Sequence, residues 1–177
     1  MNFCRFILRI FGWKVVGVFP KDIRKAVIIA APHTSNWDFV FGWMTYKSLG
    51  IRAKYLMKKE MFFFPLGFFL KRMGAIAIDR SPGNNVVEDI VNAMKSSNHF
   101  ILTITPEGTR SKVENWKDGF YRICRQAEVT LFLAKIDFGN KEIGLIGEFV
   151  PSGDYESDLK KIQQNYSAAM AKHPLNY

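Results

Sequence analysis

The sequence predicts a single α/β domain in which a mixed, largely parallel sheet is flanked by helices. Aliphatic runs of strand length alternate with amphipathic segments along the whole chain. A length of 177 residues, with 48% hydrophobic and 23% charged residues, is typical of one globular domain with a real core. No internal repeat, low-complexity tract or linker divides it. We therefore expect one domain over residues 21–177, preceded by a helix over residues 1–20.

Residues 1–20 are apolar and aromatic, but Arg5, Arg9 and Lys14 interrupt them. No stretch reaches the roughly 18 uncharged residues of a membrane-spanning helix. A small-residue cleavage site, which a signal peptide would need, does not follow the apolar part. The pattern predicts an amphipathic helix at a membrane interface, with its cations at the headgroups. A helix packed on the protein's own core is the alternative.

The elements that follow are predicted from short aliphatic runs and amphipathic segments. A buried strand is expected at 26–31, and a helix from 37 to about 49. Further strands are predicted at 53–57, 74–78, 100–104, 129–138 and 143–150, with helices at 85–97, 117–128 and 155–172. In sheets of this kind ligands bind at the carboxyl ends of the strands.

Residues 61–70 are ten apolar residues that include five Phe. The stretch is too short to span a bilayer, and Pro65 and Gly67 argue against one continuous helix. If exposed, it would form a large apolar patch that lines an acyl-chain groove or enters lipid. Packing in the core is the alternative, and the two can hold for different faces.

The turn after the first buried strand carries a histidine and a nearby acid. His33 falls in the turn, Asp38 falls in the first turn of the following helix, and helix-capping residues lie between them. If the chain folds back, the carboxylate accepts a bond from one ring nitrogen and leaves the other basic, as a general base requires. The alternative is that His33 only caps the helix.

Residues 106–111 follow the strand at 100–104 and predict an anion-binding turn. Gly108 lets backbone N–H groups approach a ligand, Arg110 offers a planar fork, and Thr109 adds a hydroxyl. For Glu107 we expect a role in orienting an arginine or in bonding a substrate hydroxyl. A surface turn that caps a helix is the alternative.

Arg80 follows the strand at 74–78 in the same way, and an ion pair with Asp79 is the alternative to ligand binding. His33, Arg80 and residues 107–110 each come directly after a predicted strand. Parallel strands would therefore bring them to one edge of the sheet.

The net charge of +9 is concentrated near the start of the chain, because the first 60 residues hold 11 Lys/Arg against 3 Asp/Glu. Such a surface suits a phospholipid membrane, a phosphorylated substrate or nucleic acid. Nucleic acid is disfavoured because the aromatic residues do not interleave with the basic ones. Cys4 and Cys124 form no disulfide framework, which favours a reducing compartment, and no clustered ligands predict a metal.

Three ordered blocks, residues 33–38, 74–80 and 106–111, resemble the glycerolphosphate acyltransferase family, which includes the 1-acylglycerol-3-phosphate (lysophosphatidic acid) O-acyltransferases. The similarity extends over residues 27–138. The resemblance implies transfer of a fatty acyl group from an acyl-CoA or acyl-carrier-protein thioester to the hydroxyl of 1-acylglycerol 3-phosphate, giving phosphatidic acid. It also implies action at the cytoplasmic membrane face without a cofactor.

The resemblance assigns roles residue by residue. His33 matches the base and Asp38 its orienting partner. The positions that match the acceptor's phosphate site are Arg80, Glu107, Gly108, Thr109 and Arg110. Lys58 and Lys59 are weaker candidates for contacts with the donor or with phosphate.

The chain departs from the family pattern at Ala77 and Thr105, where aromatic residues are usual, and residues 129–134 lack the usual proline. These departures motivate a second interpretation, in which the acceptor is another lysophospholipid or a hydroxylated aminolipid. A third, non-enzymatic interpretation is a basic protein that coats anionic membranes. It accounts for the charge but not for the three ordered blocks.

Overall fold

The computed structural model describes residues 3–79, 81 and 84–177. Its strands are β1 (Lys14–Val16), β2 (Lys25–Ala31), β3 (Ala53–Lys58), β4 (Ala75–Ile78), β5 (Phe100–Ile104), β6 (Thr130–Asp137) and β7 (Glu142–Phe149). Its α-helices are α1 (Phe3–Ile10), α2 (Asn36–Ser48), α3 (Leu66–Arg72), α4 (Val86–Ser96), α5 (Gly119–Ala127) and α6 (Tyr155–Gln163). Each lies within a few residues of a predicted element, except helix α3, which the sequence did not predict as a helix, and the elements near the two ends of the chain.

The strands form one sheet in the order β1-β7-β6-β2-β5-β3-β4. Strands β6, β2, β5, β3 and β4 are parallel, whereas β7 is antiparallel to β6 and carries β1 parallel to itself. The predicted α/β class with a mixed, largely parallel sheet is therefore confirmed. Because β2, β5, β3 and β4 are parallel neighbours, their carboxyl ends meet at one edge.

Strand β2 shows how the sheet divides the core into two layers. Successive side chains of a strand point to opposite faces. Ala26, Ile28 and Ala30 pack beneath α2, in the layer that also includes α1 and α3. Val27 and Ile29 pack against α4, α5 and α6 on the other side. Ala26, Val27, Ile28 and Ile29 are fully buried, which explains why no polar residue interrupts the run.

The N-terminal helix is present but shorter than predicted. It ends at Ile10, and Gly12 turns the chain with a φ of +79°. Lys14–Val16 then pairs with β7 as strand β1, so these residues belong to the α/β domain and not to a helix reaching residue 20. Trp13 explains the reversal, because its side chain is only 3% exposed and packs in the core beside Leu8 of α1.

The closing helix is also shorter than predicted, since α6 ends at Gln163. Residues 164–177 continue through short 3₁₀ turns at Ala168–Met170 and Pro174–Asn176. The buried side chain of Tyr166 packs against Trp116, with ring centroids 5.6 Å apart. This anchor draws the chain back over the domain.

The Phe-rich stretch is split, as the Pro/Gly pair predicts, between a 3₁₀ turn at Lys59–Met61 and helix α3. Leu70 is buried, whereas four phenylalanines are more than half exposed. They are Phe63, Phe64, Phe68 and Phe69. The segment is therefore a surface element with an inward aliphatic side. Among the described residues, no helix has the length and apolar character needed to cross a membrane.

Candidate active site

The turn between β2 and α2 is folded tightly around the carboxylate of Asp38. Its Oδ2 accepts hydrogen bonds from the backbone N–H of Thr34 at 2.7 Å and of Ser35 at 2.8 Å. Ser35 caps the helix in return, and its Oγ accepts from the N–H of Trp37. The sequence forms this reciprocal cap because a Ser at the N-cap and an acid three residues later satisfy each other's exposed donors.

The same carboxylate oxygen meets the imidazole of His33. The distance from Asp38 Oδ2 to His33 Nδ1 is 3.1 Å. The Asp38 side chain is 2% exposed and that of His33 is 21% exposed. Because a carboxylate only accepts, Nδ1 is assigned the proton and Nε2 is left as the free basic nitrogen. The turn thus brings the two predicted residues together in the predicted arrangement.

Glu107 reaches the same turn from the end of β5. Its Oε1 accepts a hydrogen bond from the backbone N–H of His33 at 3.1 Å. The residue is 5% exposed, and burial raises the pKa of its carboxyl from 4.5 to about 7. Sequence reasoning expected Glu107 to orient an arginine or bind a substrate hydroxyl. Instead, the structure places its carboxyl on the backbone of the histidine turn.

Arg110 lies at the other side of the same turn. Its Nη1 donates a hydrogen bond to Oδ1 of Asn36, the first residue of α2. Thr109 and Arg110 line the same cavity as His33. Asn36 was not predicted as a site residue, and its only signal in the sequence is a polar amide inside the 33–38 block. The contact fixes the 107–110 turn beside the histidine.

The structure gives different results for the remaining predicted site residues, Lys58, Lys59 and Arg80. Lys58 lines the cavity. Lys59 forms an ion pair with Asp79 at 2.9 Å, and bonds from Ser81 and Lys59 hold the pKa of Asp79 well below its usual range. Arg80 lies outside the described residues. Asp79, which the sequence suggested as an ion-pair partner for Arg80, is therefore already paired with Lys59.

A cavity of about 960 Å³ lies between α2 and the sheet. Polar side chains line it at the carboxyl edge of the strands, where His33 and Arg110 lie. Elsewhere its wall is largely apolar or aromatic and includes Phe39, Gly42 and Tyr46 of α2, Tyr55 and Met57 of β3, Leu66 and Leu70 of α3, and Ile136 of β6. A long apolar group can therefore be held inside while its polar end stays near the histidine.

The profile of one protein family matches residues 14–134, which is more than half of the chain and includes every predicted site residue. That family is the acyltransferases. The chain belongs to the acyltransferase family. The resemblance predicted from the three sequence blocks is thereby confirmed, and acyl transfer is the activity to which the geometry of the site must be related.

The fold of this acyltransferase is similar to a crystal structure of the 1-acyl-sn-glycerophosphate (LPA) acyltransferase PlsC from Thermotoga maritima. The TM-score is 0.61 and the sequence identity is 18%, over 92% of this chain and 73% of that one. At this identity the likeness concerns the fold. Among curated proteins, no sequence matches the chain.

The segment after α6 supports the acyltransferase's histidine turn in a way that the sequence did not predict. The backbone N–H of His173 donates to Thr34 Oγ1 at 3.2 Å. The ammonium of Lys172 lies 5.1 Å from the ring centroid of Trp37, within cation–π range. The N–H of Phe138 donates to the carbonyl of Met170 at 2.8 Å, which ties the segment to the end of β6. No local sequence pattern indicates such a long-range contact.

In the part of the acyltransferase that the structure describes, no three His, Cys, Asp or Glu side chains come together as a metal site. Cys124 is buried, and burial raises the pKa of its thiol to about 11. Its Sγ donates to the carbonyl of Val129. This cysteine therefore behaves as a buried packing residue.

Proposed function

We propose that this acyltransferase moves a fatty acyl group from an acyl-CoA or acyl-carrier-protein thioester to the free hydroxyl of 1-acylglycerol 3-phosphate, forming phosphatidic acid. Family membership gives acyl transfer, and the substrates and residue roles are the proposal. The observation that carries it is the 3.1 Å contact between His33 and the buried Asp38 beside a long, largely apolar cavity.

In the proposed reaction His33 is the general base and Asp38 positions it. Nε2 of His33 takes the hydroxyl proton while the oxygen attacks the thioester carbonyl carbon. The C–S bond then breaks, and the leaving thiolate takes the proton from the imidazolium. No protein nucleophile forms a bond. A positioned acid–base group of this kind contributes roughly 10²–10⁴-fold to the rate.

The substrate's parts match the parts of the site. The apolar wall of the cavity suits a fatty chain, since each buried CH₂ group stabilises binding by about 0.8 kcal/mol. Arg110 and Thr109 line the polar end and provide donors for the acceptor's phosphate. Each charge-assisted hydrogen bond contributes on the order of 1.5–3 kcal/mol. Arg80 and Lys58 are further proposed phosphate contacts, whereas Lys59 is paired with Asp79.

One residue of the cavity supports a second class of acceptor. Thr105, at a position where the family usually has an aromatic residue, lines the cavity near the histidine. A smaller, hydroxylated wall changes the shape and polarity offered to the acceptor. The second candidate substrate is therefore another lysophospholipid or a hydroxylated aminolipid.

An acceptor panel tests the proposal. The purified protein is given one labelled acyl-CoA with 1-acylglycerol 3-phosphate, other lysophospholipids, a monoacylglycerol or an aminolipid, and the lipid products are identified by mass spectrometry. We expect the highest kcat/KM with 1-acylglycerol 3-phosphate. Preference for another lysophospholipid or for a hydroxylated aminolipid would instead support the second candidate substrate.

Two histidine variants test the mechanism in the same assay. His33→Ala should abolish transfer, because it removes the base, while the circular dichroism of the folded protein is retained. His99→Ala is the matched control, since His99 is exposed and does not line the cavity. Near-normal turnover of His33→Ala would exclude the general-base role.

We further propose that the protein acts as a peripheral or monotopic protein at the cytoplasmic membrane face. Phe3 and Phe11, at the two ends of the α1 region, are 74% and 59% exposed, and Phe64 is 91% exposed. Arg5 and Arg9 lie on the same helix and suit anionic headgroups. Sedimentation with anionic and zwitterionic vesicles tests this proposal. Failure to bind either type of vesicle would contradict the proposed membrane association.

A further inference from the structure

Lys117 lies against the 106–110 turn, although no sequence motif marks it. It is in the loop before α5, and its backbone N–H donates to the carbonyl of Pro106 at 2.9 Å. That hydrogen bond joins the start of the anion-binding turn to the loop, so the position of Lys117 depends on the turn itself. The residue also lines the cavity that contains His33 and Arg110.

Gly108 shows where the lysine side chain goes. A Cβ placed on Gly108 would lie 3.1 Å from Cε, 3.2 Å from Cδ and 3.3 Å from Nζ of Lys117. The stem and ammonium of the lysine therefore cross the open face of the glycine. Gly108 has a φ of +67°, so the glycine is favoured both by its backbone conformation and by this close neighbour.

The charges around this position are unbalanced. Among residues 3–79, 81 and 84–177, neither Lys117 nor Arg110 has a carboxylate within 4.0 Å in an ion pair. Arg110 is instead bound to the neutral amide of Asn36. The nearby carboxyl of Glu107 is turned to the backbone of His33 and is buried. Two cations thus line one end of the cavity with no described acidic partner.

We propose that Lys117 binds a substrate phosphate together with Arg110 at the polar end of the cavity. The inference rests on the proposed function and adds a residue to it. An ammonium acts as a mobile point charge, whereas the guanidinium provides a fixed fork, so the two can hold different oxygens of one phosphate. The phosphate belongs either to the acceptor or to the CoA portion of the donor, and both sources present the same oxygens.

Lys117→Met tests the charge while it keeps an unbranched stem of similar length over Gly108. Lys117→Arg keeps the charge, and Lys112→Met is the matched control, because Lys112 is exposed in the same loop and does not line the cavity. Initial rates give KM separately for 1-acylglycerol 3-phosphate, for acyl-CoA and for a phosphate-free monoacylglycerol. Calorimetric titrations of glycerol 3-phosphate and of CoA measure binding without turnover.

We expect Lys117→Met to raise one phosphate-dependent KM about tenfold or more, in keeping with the loss of one charge-assisted contact. The KM for monoacylglycerol should stay unchanged, and Lys117→Arg should restore most of the loss. A rise for 1-acylglycerol 3-phosphate assigns the acceptor's phosphate, and a rise for acyl-CoA assigns the donor's.

Unchanged values of both KM, with unchanged binding of glycerol 3-phosphate and CoA, would overturn the role of Lys117. This failure is distinct from failure of the proposed function. The proposed function fails if the wild-type protein forms no phosphatidic acid. In that case, titrations of the wild type and of Lys117→Met still show whether Lys117 binds a phosphate. Wild-type protein that binds neither glycerol 3-phosphate nor CoA would also overturn the inference.

Discussion

The two faces of the sheet are packed very differently. Beneath α4, α5 and α6, large side chains such as Phe100, Phe120 and Met94 are at most 2% exposed. Beneath α2 the layer contains a cavity of about 960 Å³, and on the surface of α3 Phe68 and Phe69 are more than half exposed. One face is closely packed like an ordinary protein interior, and the other contains a cavity that is large enough for a ligand.

This difference separates stability from function within one sheet. Close packing provides dispersion contacts and removes apolar surface from water, so the closed face stabilises the fold. The open face gives up such contacts for space that a substrate can fill. The turns that bring His33 and Glu107 together lie at the carboxyl edge of the sheet, where the two faces meet. They follow strands whose successive side chains point to opposite faces.

The largest expected effect is on the closed face. Phe120→Ala should lower the free energy of unfolding by about 3–5 kcal/mol, because it leaves a cavity in a fully buried site. Urea denaturation measures the change. The activity per folded molecule should stay the same, and a loss below about 1 kcal/mol would show that this face is not the stabilising one.

The turn shared by both faces should respond to pH. Glu107 has a folded pKa of about 7, above its ordinary 4.5, so its stabilising contribution is complete below pH 4.5 and is lost as the pH rises through about 7. Glu107→Gln keeps an acceptor for the N–H of His33 and removes the titration. From pH 4.5 to 8 the wild type should lose up to about 3 kcal/mol relative to this variant. Parallel stability curves from urea denaturation would contradict the expectation.

On the open face a larger side chain should be tolerated. A Cβ at Gly42 of α2 would meet no atom within 4 Å. Gly42→Ala should therefore stabilise the protein by about 0.5–1 kcal/mol through its higher helix propensity. Thermal or urea denaturation checks the sign, and destabilisation would indicate that the cavity is smaller than described.

The same position links the open face to the proposed substrate. Gly42→Met places a flexible apolar chain in the cavity and should displace about two CH₂ groups of a long acyl chain. The preference for long over short acyl-CoA should fall about tenfold, since each buried CH₂ contributes about 0.8 kcal/mol. Rates with a series of chain lengths measure this ratio, and an unchanged ratio would place the chain elsewhere.

The smallest effect on stability is expected on the outer surface of the open side. Phe64→Ser should change the free energy of unfolding by less than about 0.5 kcal/mol, because Phe64 is 91% exposed. The fraction of the Phe64→Ser variant that binds anionic vesicles should nevertheless be lower than that of the wild type. A large loss of stability would mean that the Phe-rich stretch serves the protein's own packing.

Sequence reasoning predicted the elements whose patterns are local. The aliphatic run of β2 and the Ser35–Asp38 capping pair specify a strand, a turn and a helix through neighbouring residues alone. Predictions failed where distant contacts override local preference. Residues 14–16 leave the predicted helix to pair with β7, and residues 164–172 leave α6 because Tyr166 is buried against Trp116.

The sequence by itself determined the class of the fold, the order of its elements and the blocks around His33 and Glu107, because hydrophobic periodicity and capping act over a few residues. The tertiary structure decided which side chains meet. It brought Glu107 to the backbone of His33, Arg110 to Asn36 and Lys117 to Gly108. These contacts join residues from separate elements, and only the packing of helices on the sheet sets the distances between them.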